Sequence, residues 1–578
     1  MNNQIDPNIL DKAHQWLEGH YDEETKQAIR DMMKNSPQEL VEAFYRDLEF
    51  GTGGLRGVMG VGSNRMNKYT VGAATQGFSN YLKKNFPHLE RIKVAIAHDS
   101  RNNSDYFARI TADVFSANGI KVYLFDSLRP TPELSYAIRE LGCQGGIVIT
   151  ASHNPKEYNG YKAYWEDGGQ LISPHDKEVI AEVGKIKDIA DVKFEARNDL
   201  IEMIGENIDN IYLEKVKSLS LSPEVIQRQK NFRIVYTPLH GTGVKLVPDA
   251  LKRFGFENVY LVEEQAVPDG NFPTVKSPNP EEPAALELAI QKAKEVNADL
   301  VMATDPDGDR VGIAVRKGND LILLNGNQAA SLLIFYLLTK WKENGKLTGK
   351  EFIVKTIVTS ELLADIAGKF GVEHYDVLTG FKYIADIIKR FEGRKTFIGG
   401  GEESYGYLVG DFVRDKDAVI SCSMIAETAA WAADRGISLF DLLLDIYVEF
   451  DLYKEKLISI VRKGKSGAEE IQQIMENFRR NPPQKLGGSP VVIIKDYLAG
   501  TDKNLETGQT AEITLPKSNV LQFITKEGSK VSVRPSGTEP KIKFYFGVKA
   551  PLAGKEDFEK VSAQLEQKIE NIIKDLGI

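Results

Sequence analysis

Three short apolar runs, KVAIAHDSR (93–101), KVYLFDS (121–127) and GGIVIT (145–150), decide the fold of this chain. Helix-compatible sequence separates them, which is the order of a βαβ unit with parallel strands. The third run ends in a polar loop, ASHNPKEYNGYK (151–162). The same order returns twice. FRIVYTPLHG (232–241), NVYLVEE (258–264) and ADLVMAT (298–304) lead into DPDGDR (305–310). EFIVKTIVTS (351–360), a weaker VEHYDVLTG (372–380) and RKTFIGG (394–400) lead into GEESYG (401–406). The repeat is one of element order, since the copies share little identity. It predicts three similar α/β domains with mixed, mainly parallel sheets.

The flanking sequence differs. The first ~50 residues read as helices, with Asp22, Glu23 and Glu24 at one helix start and Ser36-Pro37 followed by Glu39 at another. After about residue 455, LQFITKEGSKVSVRPSG and KIKFYFGVKA read as antiparallel strands turning at Glu527-Gly528-Ser529, and an amphipathic helix over roughly 555–576 closes the chain. NPPQKLGGSP (481–490) reads as a loop within this α+β part. The expected domains are 1–205, 206–325, 326–455 and 456–578. Four fits the length of 578 residues at ~150 residues per domain, because single cores stop growing beyond ~250–300 residues.

Composition excludes several classes. Lys+Arg 73 against Asp+Glu 82 gives a net charge of −9, which argues against nucleic-acid binding by bulk charge. Two cysteines, Cys143 and Cys422, cannot build a disulfide scaffold or a cysteine zinc cluster. The polar N-terminus lacks a signal-peptide stretch, and the apolar run Ala329–Leu338 is half the length needed to cross a bilayer. A cytoplasmic protein without a membrane partner is the expectation.

In open α/β sheets ligands bind beyond the carboxyl ends of strands, where each copy places its most unusual loop. Asp305, Asp307 and Asp309 alternate after a buried run, so an extended loop aims all three the same way. Adjacent carboxylates repel unless a cation sits among them, and hard oxygen ligands select Mg²⁺, Mn²⁺ or Ca²⁺. An EF-hand fails, because its sixth and twelfth positions are Arg310 and Arg316. Arg310 draws an anion to the same place. Ser152 sits where a strand ends, with His153 and Asn154 adjacent and Lys162 after an Asn-Gly turn. The loop lacks the G-x-S-x-G of a hydrolase elbow, and neighbouring metal carboxylates favour phosphoryl chemistry on Ser152. GTGGLRG (51–57) offers backbone N–H groups around Arg56. RPSGTEP (534–540) offers Arg534, Ser536, Gly537 and Thr538 to phosphate oxygens. Glu402 and Ser404 of GEESYG suit sugar hydroxyls.

TASHNP, DPDGDR, GEESYG and RPSGTEP, in that order and spacing, resemble the α-D-phosphohexomutase superfamily, in particular its long phosphoglucomutase/phosphopentomutase-type members. The likeness spans about residues 45–550. It implies four domains around one active-site cleft, a phosphoserine at Ser152, and one Mg²⁺ held by Ser152, Asp305, Asp307 and Asp309. It also implies Arg56, His153 and Lys162 beside the transferring group, Lys162 as acid/base. Arg310, Lys382 of the TGFK stretch, His240, Glu402 and Ser404 would face substrate, and Arg534, Ser536, Gly537 and Thr538 would hold the phosphate not being transferred. Gly53 departs from the pattern, since many members carry Ser or Ala there. The implied reaction is the interconversion of glucose 1-phosphate and glucose 6-phosphate through a glucose 1,6-bisphosphate intermediate, by an intramolecular phosphotransferase of the isomerase class. Mannose or pentose phosphates are alternative substrates. A metal-dependent sugar-phosphate phosphatase and an inactive binding module are alternative functions. The expected partners are small sugar phosphates, and the chain is expected to be a monomer or weak homodimer.

Overall fold

The computed structural model describes residues 5–51, 53–462, 464–536 and 541–578. The chain divides into two compact units. One comprises Met1–Asn325, Ala385–Gly393 and Tyr405–Asp434, the other Gly326–Ile384, Arg394–Ser404 and Arg435–Ile578.

The first unit holds two of the repeated sheets. One has six strands in the order Gly54–Val58, Tyr158–Trp165, Gly145–Ile149, Lys93–His98, Lys121–Phe125, Ile201–Ile204. Its last four pair in parallel, and the two at the other edge run antiparallel. The other has five, Asp320–Leu324, Val311–Lys317, Leu300–Thr304, Arg233–Thr237 and Asn258–Leu261, parallel over the last three. Helices cover both faces, so the central strands are buried throughout, as in Gly145–Ile149 and Leu300–Thr304. That double burial explains why those runs are continuously apolar rather than alternating.

Three helices precede the first sheet. Pro7–Glu18 starts where the Asp6 carboxylate accepts from the Asn8 N–H, and Glu23–Asn35 starts with Asp22 accepting from Thr25. Pro37–Phe44 starts on a proline, whose missing N–H costs nothing in a first turn. Their inward faces bury Ala13, Ile29, Leu40, Ala43 and Phe44 completely, each large side chain stabilising by roughly 1.5–3 kcal/mol. The helix Ala418–Asp434 is apolar on nearly every side because it is core.

The second unit contains parallel strands Glu373–Val377, Glu351–Thr356 and Thr396–Gly401. It also contains an antiparallel sheet running Leu452–Val461, Lys541–Ala550, Lys530–Pro535, Leu521–Thr525, Ser489–Asp496, Thr501–Asn504 and Thr510–Glu512. The closing helix is Phe558–Leu576.

Three local expectations are corrected. Gly54–Val58 is an edge strand, not an open loop. Lys162 does not follow an Asn-Gly turn, because Asn159 and Gly160 lie inside the strand Tyr158–Trp165. The sequence misleads there because glycine replaces a β-former where backbones crowd: a Cβ on Gly160 would lie 2.4 Å from the Thr150 carbonyl oxygen. NPPQKLGGSP is mostly loop but pairs Lys485–Leu486 with the following strand.

Candidate active site

The strand Gly145–Ile149 delivers Ser152 three residues past its end. Ser152 has φ 53°, a left-handed backbone that costs a non-glycine residue about 1–3 kcal/mol unless its surroundings enforce it. Two groups do so. The Ser152 N–H donates to Thr150 Oγ1 at 2.8 Å, and Thr150 donates to Asp99 at 2.6 Å. The Arg101 guanidinium donates to the carbonyls of Ser152 at 2.6 Å, Pro155 at 2.9 Å, Tyr158 at 3.1 Å, and Asn154. Arg101 and Asp99 are both buried and pair at 3.4 Å. Burial pushes the Asp99 carboxyl above its ordinary range even against Arg101. Sequence reasoning missed this pair, although charged residues directly after the buried strand Lys93–His98 were the available signal.

DPDGDR is a tight turn rather than an extended loop. Gly308 takes φ 66°, and a Cβ there would meet Pro130 at 2.8 Å and Thr242 at 2.9 Å. The turn is tied on several sides. Thr131 N donates to the Asp307 carbonyl, Thr242 N to that of Pro306, and Ala418 N to that of Gly308. Folding back brings Asp305, Asp307 and Asp309 together with ligand oxygens within 4.8 Å of one another. All three are buried, and among the described residues Oδ1 of Asp307 and of Asp309 has no hydrogen-bond partner. Buried orphan carboxylate oxygens are costly, and converging ones fit a divalent cation with oxygen ligands.

Ser152 Oγ donates to Asp305 Oδ2 at 2.8 Å, which places the serine hydroxyl on this cluster. Lys162 Nζ lies 2.6 Å from Asp307 and 3.2 Å from Asp309, and Lys416 Nζ lies 2.8 Å from Asp309. Burial raises Asp305, and its two acidic neighbours raise it further. Burial acts the same way on Asp307, but Lys162 outweighs it and holds that carboxyl below its ordinary range. Burial likewise opposes the charge on Lys162, yet the two aspartates win and keep it a firm ammonium. Three carboxylates therefore face Lys162, Lys416 and Arg310.

His153 Nδ1 is 2.9 Å from Arg310 and 3.2 Å from Ser152 Oγ. Since guanidinium only donates, this nitrogen accepts. Burial, followed by Arg310, pushes the imidazole well below its usual range and keeps it neutral. Arg56 lies on the edge strand and reaches the Asn154 side chain at 3.3 Å. Gly53, with φ 119°, faces Gln170, whose amide nitrogen would lie 2.6 Å from any Cβ. A serine or alanine there would be strained.

His240 is buried, with its ring nitrogens 2.8 Å from the Val267 carbonyl and 2.9 Å from Thr274 Oγ1. Its neighbour Gly241 packs so closely on Pro306 that a Cβ would sit 2.4 Å from Pro306 Cα. This stretch therefore braces the aspartate turn. Lys416 was also missed by sequence reasoning. Its segment is anchored by Tyr164 donating to Asp415 at 2.7 Å and Tyr212 donating to Asp417 at 2.7 Å.

The second unit carries the remaining candidates. Glu402 accepts from the Gly380 N–H at 2.8 Å, joining GEESYG to the TGFK stretch, where Lys382 lies 5.3 Å from the Tyr383 ring centroid. Ser404 is half-buried in the same loop. Arg534 is the last residue but one of the strand Lys530–Pro535, and Ser536 N donates to the Lys541 carbonyl at 2.8 Å. Gly537 and Thr538 lie outside the described residues.

The family models for phosphoglucomutase/phosphomannomutase alpha/beta/alpha domains I, II and III match residues 47–190, 210–318 and 325–450. A phosphoglucomutase of Staphylococcus haemolyticus is 38% identical over 530 residues, 91% of this chain and 93% of its own length. One of Staphylococcus aureus is 39% identical over 542 residues, 93% and 95% of the two chains. Among solved structures, the open form of the Paramecium phosphoprotein pp63/parafusin, a phosphoglucomutase, superposes with TM-score 0.69 at 16% identity, covering 92% of this chain and 96% of that one. A phosphoglucomutase/phosphomannomutase family protein of Burkholderia thailandensis gives 0.63 at 17% identity, covering 91% and 97%. Among the described residues, no helix is long and apolar enough to cross a membrane.

Proposed function

The chain belongs to the phosphoglucomutase/phosphomannomutase family, and from that premise we propose that it interconverts glucose 1-phosphate and glucose 6-phosphate. It is an enzyme of the isomerase class that moves a phosphoryl group within its substrate through a phosphoserine at Ser152. The observation that carries the reading is Ser152 Oγ, held 2.8 Å from Asp305 beside two orphan aspartate oxygens.

Ser152, Asp305, Asp307 and Asp309 would hold one Mg²⁺, which supplies a Lewis acid for the phosphoryl oxygens. The chain's own residues do the rest. Asp99, Thr150 and Arg101 hold the Ser152 backbone, so the phosphoryl group points one way without reorganisation. Arg310, Arg56 and Lys416 concentrate positive charge where the phosphoryl oxygens spread theirs, the dominant contribution in such transfers. A free sugar hydroxyl attacks phosphorus, its P–O bond forms, and the bond to Ser152 Oγ breaks. The proton the hydroxyl gives up ends on Ser152 Oγ, relayed by Lys162: its ammonium, held at the aspartate cluster, would give a proton to the leaving Oγ and take up the one the hydroxyl releases. Neutral His153 accepts from Arg310 and so orients that guanidinium.

Glu402, Ser404 and Lys382 would recognise sugar hydroxyls, with His240 bracing the site. Arg534, Ser536, Gly537 and Thr538 would hold the other phosphate. Glucose 1,6-bisphosphate, formed on the enzyme, turns over and returns its second phosphate to Ser152, and it also primes the enzyme. The working unit is four domains with boundaries near residues 205, 325 and 455, acting in the cytoplasm as a monomer or weak homodimer.

Glucose, mannose and ribose 1-phosphates, compared under Mg²⁺ with bisphosphate primer, test the substrate. The highest kcat/KM is expected for glucose 1-phosphate, with negligible phosphate release. Preference for ribose 1-phosphate would overturn the sugar, and stoichiometric phosphate release would overturn the mutase.

A further inference from the structure

In the second unit, three adjacent strands carry Glu455, Gly547 and Lys530 in one cross-strand row. Gly547 has no side chain, so the row leaves a hollow in the sheet, with its two walls about 10 Å apart at two strand spacings. An added Cβ on Gly547 would find its nearest neighbour at 3.9 Å, so open space lies above it. Tyr453 and Lys549 close one end and Tyr545 the other, and Thr359 and Ser360 form the roof. The cavity measures about 290 Å³, room for a ligand at the small end of the usual range.

The charges in the hollow are uneven. Lys530 pairs with Glu361, and Lys549 lies 3.6 Å from Asp365. Glu455 has no ion-pair partner among the described residues. Ser360 hydrogen-bonds the carboxyl and Lys530 attracts it, but among the described residues its buried Oε1 has no hydrogen-bond partner. A carboxyl group left so in a built cavity calls for a donor. We propose that this hollow binds a small molecule bearing a primary amine, whose ammonium donates to Glu455 while its remaining atoms lie over Gly547 between the two tyrosines. The occupant would sit under a loop that touches the sugar-loop region, since Thr359 donates to Glu403 at 3.2 Å.

Burial pushes Glu455 up to about 7. It is faced by Ser360 and Glu361 from the roof, Asp365 from the following helix, and Lys530 and Lys549 from neighbouring strands. An ammonium binds the ionised form, so binding releases a proton and weakens as pH falls. Between pH 8 and pH 6 the ionised fraction drops about tenfold, and affinity with it.

The test is calorimetric titration of the full-length protein with ethanolamine and 2-amino-1,3-propanediol, against ethylene glycol and glycerol. Saturable binding of the amines alone is expected, with Kd of about 0.1–10 mM for ligands of this size and about tenfold weaker at pH 6 than at pH 8. Gly547→Val fills the hollow with a residue that suits a strand, and Glu455→Gln removes the charge; each should weaken binding at least tenfold. Ser152→Ala should leave it unchanged. Equal binding of amines and diols, binding intact in both Gly547→Val and Glu455→Gln, or no saturable binding of either amine would overturn the proposal.

Discussion

Replacing Arg101 with methionine is expected to lower kcat/KM by about 100-fold, although Arg101 need not touch substrate. Its guanidinium donates to four carbonyls of the Ser152 loop and pairs with buried Asp99. It also lies 5.1 Å from the Phe272 ring centroid. Breaking a buried pair costs about 3–5 kcal/mol, because the remaining charge is stranded. The left-handed backbone at Ser152 costs about 1–3 kcal/mol, less than the clamp that holds it. Without the clamp the loop relaxes, and a misplacement of about 1 Å at a reacting atom costs about 100-fold in rate. Arg101→Lys should recover little, since one ammonium cannot span four carbonyls. Following glucose 6-phosphate formation and the thermal midpoint together gives both quantities. A folded Arg101→Met enzyme with wild-type kcat/KM would refute the reasoning.

Further outcomes follow from the same geometry. Lys162→Met should lower kcat by about 10²–10⁴, the range for a lost proton donor, in steady-state assays with the fold unchanged by circular dichroism. Gly241→Ala forces a Cβ to within 2.4 Å of Pro306 Cα. It should displace the metal turn and raise the Mg²⁺ concentration for half-maximal activity. Chelation should abolish turnover, with Mg²⁺ restoring it. Burial pushes Asp417 up to about 7, so below about pH 7 it is neutral in the fold, while in the unfolded chain it ionises near pH 4. Its contribution to stability therefore falls by about 1.4 kcal/mol per pH unit between roughly pH 4 and 7 and is flat above. In denaturant titrations, Asp417→Asn should remove that slope and gain relative stability at pH 8.

The sequence carried the strands and loops further than it carried their supports. Leu300–Thr304 and Gly145–Ile149 were legible because burial on both faces makes parallel strands continuously apolar. The Asp triad was legible because alternating carboxylates after such a strand have few uses. Gly54–Val58 and Tyr158–Trp165 were not, since their glycines reflect backbone crowding between strands and resemble turns when read alone. The roles of Arg101 and Lys416 were also hidden. A charge directly after a buried strand flags Arg101, but nothing local says that it clamps a loop 51 residues away, or that a lysine meets a carboxylate from another sheet.

The most direct test of the central claim is the intact mass of the protein after incubation with glucose 1,6-bisphosphate, followed by addition of glucose 1-phosphate. The account predicts one added phosphoryl group on the wild type, carried by Ser152, absent from Ser152→Ala and discharged onto the sugar phosphate. A Ser152→Ala protein that still gains the phosphoryl group and turns over would contradict it.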